Sequence, residues 1–417
     1  MVFAGGDKEE APSGEGKAEK QEQITLSLFR WSLPENRKVV YDKYIAEFEK
    51  EHPGVTVELS AVPWGEFVDS LTRFQMAGTL PDVFAIYDAS IGTFHATGSL
   101  LAIDEYVPAD FRDAFYDTHW DHTVIDGKTY GVVFRNGTHM LFYNKDMFRE
   151  AGLSQEMIDN GPQTFDDVRK AAVACTKKDQ YGYADGYGDE EGYHQWRSYV
   201  MSSGDNPIDM KTYEARMNKP AGVQSLQLLV DLNTTLGAVP PGSLAKTSSL
   251  RNQEFVNGLA AMVEGGIWIE QQWKDAGSQF ELGVTTLPYS SKLADKYMGA
   301  SAAFVAHAVA SNTPHKELAA ELSMHMASYG FVNEYCQAAG LLPPRQDVAE
   351  KDPYWKSGRI PQYIAATTAP NFGALPKHPK ITDFSKIIQT AIEEAMMGTK
   401  TVQKALDDAS AKWNKIK

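Results

Sequence analysis

The sequence predicts an α/β protein built as two globular bodies. Two observations carry this. Residues 24–87 alternate strand, helix, strand, helix, strand, the signal of a sheet with right-handed crossovers. The chain has 417 residues at 43% hydrophobic content, enough for two cores and too long for one ordinary core.

Ile24, Leu26 and Leu28 alternate with Thr25 and Ser27 and read as the first strand. Pro34 and Glu35 open a helix with Val40, Tyr44, Ile45 and Phe48 on one face. Pro53 and Gly54 stop it, and Val55, Val57 and Leu59 form a second strand. An amphipathic stretch with Phe67, Leu71 and Phe74 ends at Gly78 and Pro81. Val83 to Tyr87 is apolar throughout and suits a buried parallel strand. Further on, Thr164 and Asp167 cap a helix running through Val168 and Ala172. Residues 179–195, rich in Gly, Tyr and Asp, read as a loop. Val223 to Leu236 and Arg251 to Val256 read as helices, and Ala260 to Val263 and Leu282 to Val284 as short strands. Residues 314–338 read as a helix interrupted at Gly330. Two amphipathic helices, around Ile387 to Met396 and Val402 to Trp413, close the chain.

Charge narrows the function. The formal net charge is -15, and such a surface repels phosphate backbones and anionic lipid, so nucleic acid is not an expected partner. No run approaches the ~20 apolar residues of a spanning helix. Val2-Phe3-Ala4 has the small-residue ending of a signal-peptidase site, so Met1 to Ala4 reads as the remnant of an export signal. Residues 7–23 are too polar to bury a core; with that remnant, residues 1–23 are expected to be a disordered tail. Cys175 and Cys336 lie far apart and read as buried free thiols. Nucleophile-elbow, phosphate-loop, His-Glu-x-x-His and dinucleotide motifs are missing, so neither catalysis nor a cofactor is expected. Asp185 to Glu191 offers oxygen ligands at the wrong spacing for calcium, and no metal is expected there.

Several segments line up in one order. They are Pro81-Asp82-Val83-Phe84, Tyr130-Gly131-Val132, Phe142-Tyr143-Asn144-Lys145-Asp146-Met147-Phe148 and Thr164-Phe165-Asp166-Asp167. Ala260-Ala261-Met262, Gly266-Ile267-Trp268 and Gly283-Val284-Thr285-Thr286-Leu287-Pro288 follow, then His315-Lys316-Glu317-Leu318-Ala319 and Pro343-Pro344-Arg345. The series resembles the extracellular solute-binding proteins of ABC sugar importers (family 1), the group with maltose- and glycerol-phosphate-binding proteins. The resemblance spans residues 24–417. It implies a type II periplasmic-binding-protein, or Venus flytrap, fold with three interlobe crossings, near residues 136–139, 301–303 and 344–346. Lobe 1 would hold residues 24–136 and 302–344, and lobe 2 residues 137–301 and 345–417. It further implies an exported, periplasmic or extracytoplasmic monomer that closes its hinge on a sugar or oligosaccharide. The partners would be that carbohydrate and the permease subunits of the transporter.

Sugars offer C–H faces that stack on aromatic rings and hydroxyls that need planar polar partners. Trp31 leaves the first strand for a loop and is expected to be a ligand platform, with Glu35 and Asn36 at the next helix start. Trp64 follows the second strand and reads equally as a platform or as a staple against its own helix. Asp88 matches an aspartate that binds sugar hydroxyls in relatives; the alternative is a helix cap. Arg135, Asn136 and His139 fall at the first crossing, Ser301 at the second and Arg345 at the third. Trp268 matches a stacking platform of the second lobe, and the glycines before it let backbone approach closely. Trp273 is expected only to pack. Tyr187, Tyr193, His194 and Trp196 are in or near the Gly-rich loop, and one or two are expected to face the cleft; Asn371 and Phe372 close it from the C-terminal segment. A rival reading is an anionic or non-sugar solute, such as a uronic acid or glycerol phosphate ester, clamped by Arg135, Arg345 and His139. Another is a saccharide-acting enzyme, and a third is a receptor that signals instead of feeding a transporter.

Overall fold

The computed structural model describes residues 1–2, 23–189, 191–302 and 304–417, so most of the expected signal remnant and tail lies outside the described residues. Among the described residues the strands are β1 (Ile24–Trp31), β2 (Val55–Val62), β3 (Val83–Tyr87), β4 (Val124–Ile125), β5 (Lys128–Thr129), β6 (Val132–Arg135), β7 (His139–Asn144), β8 (Met262–Gly266), β9 (Leu282–Thr285) and β10 (Val305–Val309). They make a five-stranded sheet, β2-β1-β3-β10-β6, a three-stranded sheet, β8-β7-β9, and a small β4-β5 ribbon. The two main sheets are the centres of two lobes.

The first sheet grows from the alternation visible at the start of the chain. β1 runs parallel to β2 from Ile24 opposite Val55 to Trp31 opposite Val62, and parallel to β3. Helices Glu35–Glu51 and Trp64–Ala77 are the crossovers. β3 is buried along its whole length, as its apolar run requires. β10 enters much later in sequence and pairs antiparallel with both β3 and β6. The second sheet is antiparallel, with β7, all buried, as its centre.

Three stretches are stitched together at the waist. Between β6 and β7, Asn136 pairs with Leu342 and Thr138 with Ala302. Ser301 pairs in turn with Gly373. The third passage differs in place from residues 344–346. Arg345 Nη1 donates to Ala327 O at 3.2 Å, and Trp355 Nε1 donates to Asn333 at 2.9 Å, so this stretch stays against the helix Tyr329–Ala339 of the first lobe. Hydrogen bonds from this stretch to the second lobe begin at Arg359, which donates to Leu282 O and Glu270. The C-terminal helices Ile381–Met396 and Val402–Ile416 then pack on helices Glu191–Ser202 and Pro220–Asn233.

Two local readings need correction. The long helix at 314–338 breaks at residues 326–328, where Ser328 caps Tyr329–Ala339 by accepting from Phe331 N. Gly330 lies inside that helix, because a Cβ there would come within 2.3 Å of the Tyr44 hydroxyl. Within 179–195, helix Glu191–Ser202 begins in a stretch whose composition reads as loop. Burial of Tyr193, Trp196, Tyr199 and Val200 outweighs the local glycine and polar content. The expected capping box is present, with Thr164 and Asp167 bonding each other's backbone. Cys175 and Cys336 are free and buried, and burial pushes the Cys175 thiol up to about 12.

Candidate functional site

Two adjoining cavities lie between the lobes and share Trp64 as a common wall. The smaller, of about 250 Å³, is labelled the inner cavity and the larger, of about 460 Å³, the outer one.

The first lobe gives the inner cavity Trp31, Trp64, Arg37, Arg135 and Tyr335. Strand pairing explains Trp31: it ends β1 opposite Val62, so its ring emerges at the sheet's carboxyl edge. Pro63 then starts helix Trp64–Ala77, which sets the Trp64 ring edge-on to Trp31 at 5.1 Å. Phe67, one turn on, packs edge-on to Trp31 at 5.2 Å and holds it from behind. Trp64 lines both cavities and also stacks on Phe67 of its own helix at 6.4 Å, so the staple contact is made.

Behind this wall lies a cationic cluster. Arg30 is buried, with its guanidinium 4.7 Å from the Trp31 ring and 4.2 Å from the Tyr41 ring. Arg135 stands 5.5 Å from the same Trp31 ring. Burial would raise the Tyr335 phenol, but Arg30, Arg37 and Arg135 together hold it below its ordinary value. Burial lowers Arg135, and repulsion from Arg30 and Arg37 adds to the effect.

The second lobe supplies Trp268, Arg251, Asn252, Ser248 and Gln272. Trp268 is the first residue of helix Trp268–Asp275, directly after β8. A Cβ on Gly266 would sit 1.9 Å from the Trp268 ring, so glycine there is a steric requirement of the indole's position. A buried chain braces this wall: Glu264 bonds His139 Nδ1 at 2.7 Å and approaches Arg251 at 4.0 Å, and the His139 ring stands edge-on to Trp268 at 5.7 Å. Arg251 and Asn252 sit on helix Ser248–Val256, whose N-cap Thr247 accepts from Leu250 N.

The outer cavity is lined by Tyr187, Tyr193 and Asp189 from the second lobe, Asp69 from the first, and Lys386, Gln389 and Glu393 from the C-terminal helix. Tyr187 is fixed by its hydroxyl, which donates to Asp185 at 2.6 Å. Burial raises the Asp185 carboxyl to about 6, even though Tyr187 and Asn233 donate to it.

Of the residues expected from sequence, Trp31, Trp64, Arg135, Tyr187, Tyr193 and Trp268 meet at these two cavities. His139 stands behind Trp268 as its brace. The Asp88 side chain lies outside the described residues. Six others are placed elsewhere. Glu35 is exposed, and Asn36 donates to Ala338 O. Trp196 is a core residue, its indole N–H donating to Gly222 O at 3.0 Å. Ser301 accepts from Arg197 at 2.8 Å, while Arg197 also holds Gly373 O, so the serine pins the waist. Arg345 is used up by a bidentate pair with Asp347 and by the rings of Phe111 and Phe115. Phe372 is half-buried in a loop tied down by Asn371, which donates to Met201 O and Asp205 O. Of the remaining candidates, Asn136 pairs with Leu342, and Trp273 packs on Phe280.

Arg37, Arg251, Tyr335 and the Gln389–Glu393 turn were missed. Arg37 had a local signal: it lies on the first turn of the helix that follows Trp31. The others sit mid-helix, with nothing in their neighbours to separate them from any amphipathic face.

The model of the family described as bacterial extracellular solute-binding protein matches residues 43–362. The galactooligosaccharide-binding protein of Bacillus subtilis is 26% identical over 406 residues, covering 95% of this chain and 90% of its own. The maltodextrin-binding protein MdxE of the same organism is 26% identical over 396 residues, covering 91% and 87%. Among solved structures, an ABC transporter solute-binding protein from Thermotoga lettingae bound with alpha-D-tagatose superposes with a TM-score of 0.84 at 23% identity, covering 94% of this chain and 99% of that one.

Proposed function

Because the chain belongs to the bacterial extracellular solute-binding protein family, we propose that it captures a saccharide between its lobes and hands it to the permease of an ABC importer. It is a binding protein, not an enzyme. The observation that carries the saccharide reading is the convergence of three indole rings, Trp31 and Trp64 from one lobe and Trp268 from the other, on one 250 Å³ cavity edged with amide, hydroxyl and guanidinium groups. Indole faces take sugar C–H surfaces, and the polar groups take hydroxyls. The relatives named for galactooligosaccharide and maltodextrin support the same class. Both walls come from a single chain, which favours a monomer, and the extracellular family supports work outside the cytoplasm after export.

In this reading residues 24–135 and 304–357 make one lobe, and residues 139–301 and 359–417 the other. Closing the lobes brings Trp268 against a guest already resting on Trp31 and Trp64, and contacts unique to the closed form shift the population. Micromolar capture needs about 8 kcal/mol. Stacking on three rings at ~0.5–1.5 kcal/mol each beyond area burial, plus charge-assisted hydrogen bonds, supplies much of it. Mass spectrometry of small molecules released from the purified protein should yield an intact saccharide. Trp268→Ala should then weaken binding of that saccharide at least tenfold in calorimetry while leaving the melting temperature nearly unchanged. Unaltered affinity would remove Trp268 from the site.

A further inference from the structure

The stretch 371–380 runs from the waist along the edge of the first lobe, although both its ends belong to the second. At its start Gly373 pairs with Ser301, and Asn371 N donates to Met298 O at 2.8 Å. Near its end the His378 ring lies 4.8 Å from Tyr213 and 5.2 Å from Trp413. Between these anchors Lys377 reaches across. Its ammonium donates to Val124 O at 2.6 Å and to Asp121 O, carbonyls of the turn that ends β4's approach in the first lobe. The backbone of the same residue lies against helix Asp88–Ala96, where a Cβ on Gly92 would come within 2.6 Å of Lys377 C. Glycine weakens a helix interior relative to alanine, so Gly92 is explained by the other lobe's backbone and not by its own helix. Lys377 pairs with backbone carbonyls and, among the described residues, with no carboxylate. Burial lowers its ammonium from the ordinary lysine value. Two hydrogen bonds set against that desolvation leave a small net gain, which tilts an equilibrium without locking it.

We propose that Lys377 and Gly92 form an interlobe latch, which holds the strap 371–380 on the first lobe and biases the chain toward closed lobes before a guest arrives. This concerns the regulation of the capture proposed above and rests on that reading. The geometry ties the latch to the cleft. Helix Ile381–Met396 follows the strap directly and packs on helix Asp88–Ala96. It also lines the outer cavity with Gln389 and Glu393, while Trp64 and Val68 line that cavity from the first lobe. The helices that start at Trp64 and Asp88 follow β2 and β3, so both stand at the carboxyl edge of one sheet. A motion that draws helix Ile381–Met396 away from Trp64 to admit a guest therefore pulls the strap from Gly92 and from the Asp121 and Val124 carbonyls. Apparent affinity scales with the fraction of competent molecules, so the latch sets how much guest is needed without touching it.

The test is small-angle X-ray scattering of the guest-free full chain and two variants, one on each side of the contact. Lys377→Met keeps the stem and removes the ammonium. Gly92→Ala pushes a methyl group against the strap while favouring its own helix, so it strikes the latch without weakening the element that carries it. Both should show a larger radius of gyration, with the compact fraction at least threefold below the parent's. Lys380→Met is the control: its amine bonds Ile416 O within the second lobe, and the variant should scatter as the parent does. Two variants as compact as the parent, or expansion of only one, would overturn the latch. Equal expansion of Lys380→Met would overturn it too, since loss of any strap lysine would then suffice. In each of these cases the saccharide reading stands, because it needs lobes that part and not this particular hold. That reading fails separately, if the purified protein releases no saccharide, and scattering decides the latch either way.

Discussion

The two cavities on either side of Trp64 share that one indole and differ in the other side chains that line them. The inner one is walled by three indoles and three guanidinium groups. The outer one is walled by two tyrosines, three carboxylates and one ammonium group. Aromatic rings alone would not tell one guest from another, since every sugar has a C–H face. Trp64 belongs to both cavities, so one ring ties the two walls together.

Breaking the shared wall should have the largest effect. Trp64→Ala removes a contact from each cavity and the partner of Trp31, so affinity for the recovered saccharide should fall by about 2–3 kcal/mol, as at a central aromatic hot spot. Calorimetry reads this directly, and a loss under threefold would show that the cavities work independently of that ring. A smaller loss, about tenfold, is expected from Gly266→Ala. The new methyl group would meet the Trp268 ring, which must rotate away and spoil the inner wall only. Indole fluorescence should shift in this variant even without ligand; an unchanged spectrum and affinity would refute the steric argument.

The smallest change in affinity is expected at Asp185, where the signature is in stability. Its carboxyl is raised from 3.8 to about 6 by burial, so the folded state binds more protons than the unfolded state between those values. The stability it contributes is complete below the lower value and is lost as pH rises through the upper one. Asp185→Asn stays neutral throughout. The melting temperature of the variant relative to the parent should therefore climb between about pH 4 and about pH 7. A constant gap would mean that the Tyr187 and Asn233 hydrogen bonds cancel the burial penalty.

Much of the first lobe was legible because its signals are local. Ile24 to Tyr87 alternates on short range, and each crossover helix is punctuated by Pro or Gly, so the ends of β1, β2 and β3 could be read directly. Trp31, which ends β1, and Trp64, just after β2, follow from that reading. The helix at Glu191 was missed because its glycine and polar content argues locally for a loop, while its aromatic face finds partners only after folding.

Residue chemistry and the order of elements along the first lobe were thus legible in the sequence itself: an α/β chain, tryptophans following its first two strands, and two distant thiols. Only the tertiary structure decided which arginines face the cleft. Arg345 looked like a clamp and spends its guanidinium on Asp347, whereas Arg251, unmarked in sequence, reaches the cavity that Arg37 lines from a helix about 200 positions earlier. The physical reason is that a side chain's charge is written in its residue type, but its partner is chosen by packing between elements that share no local pattern.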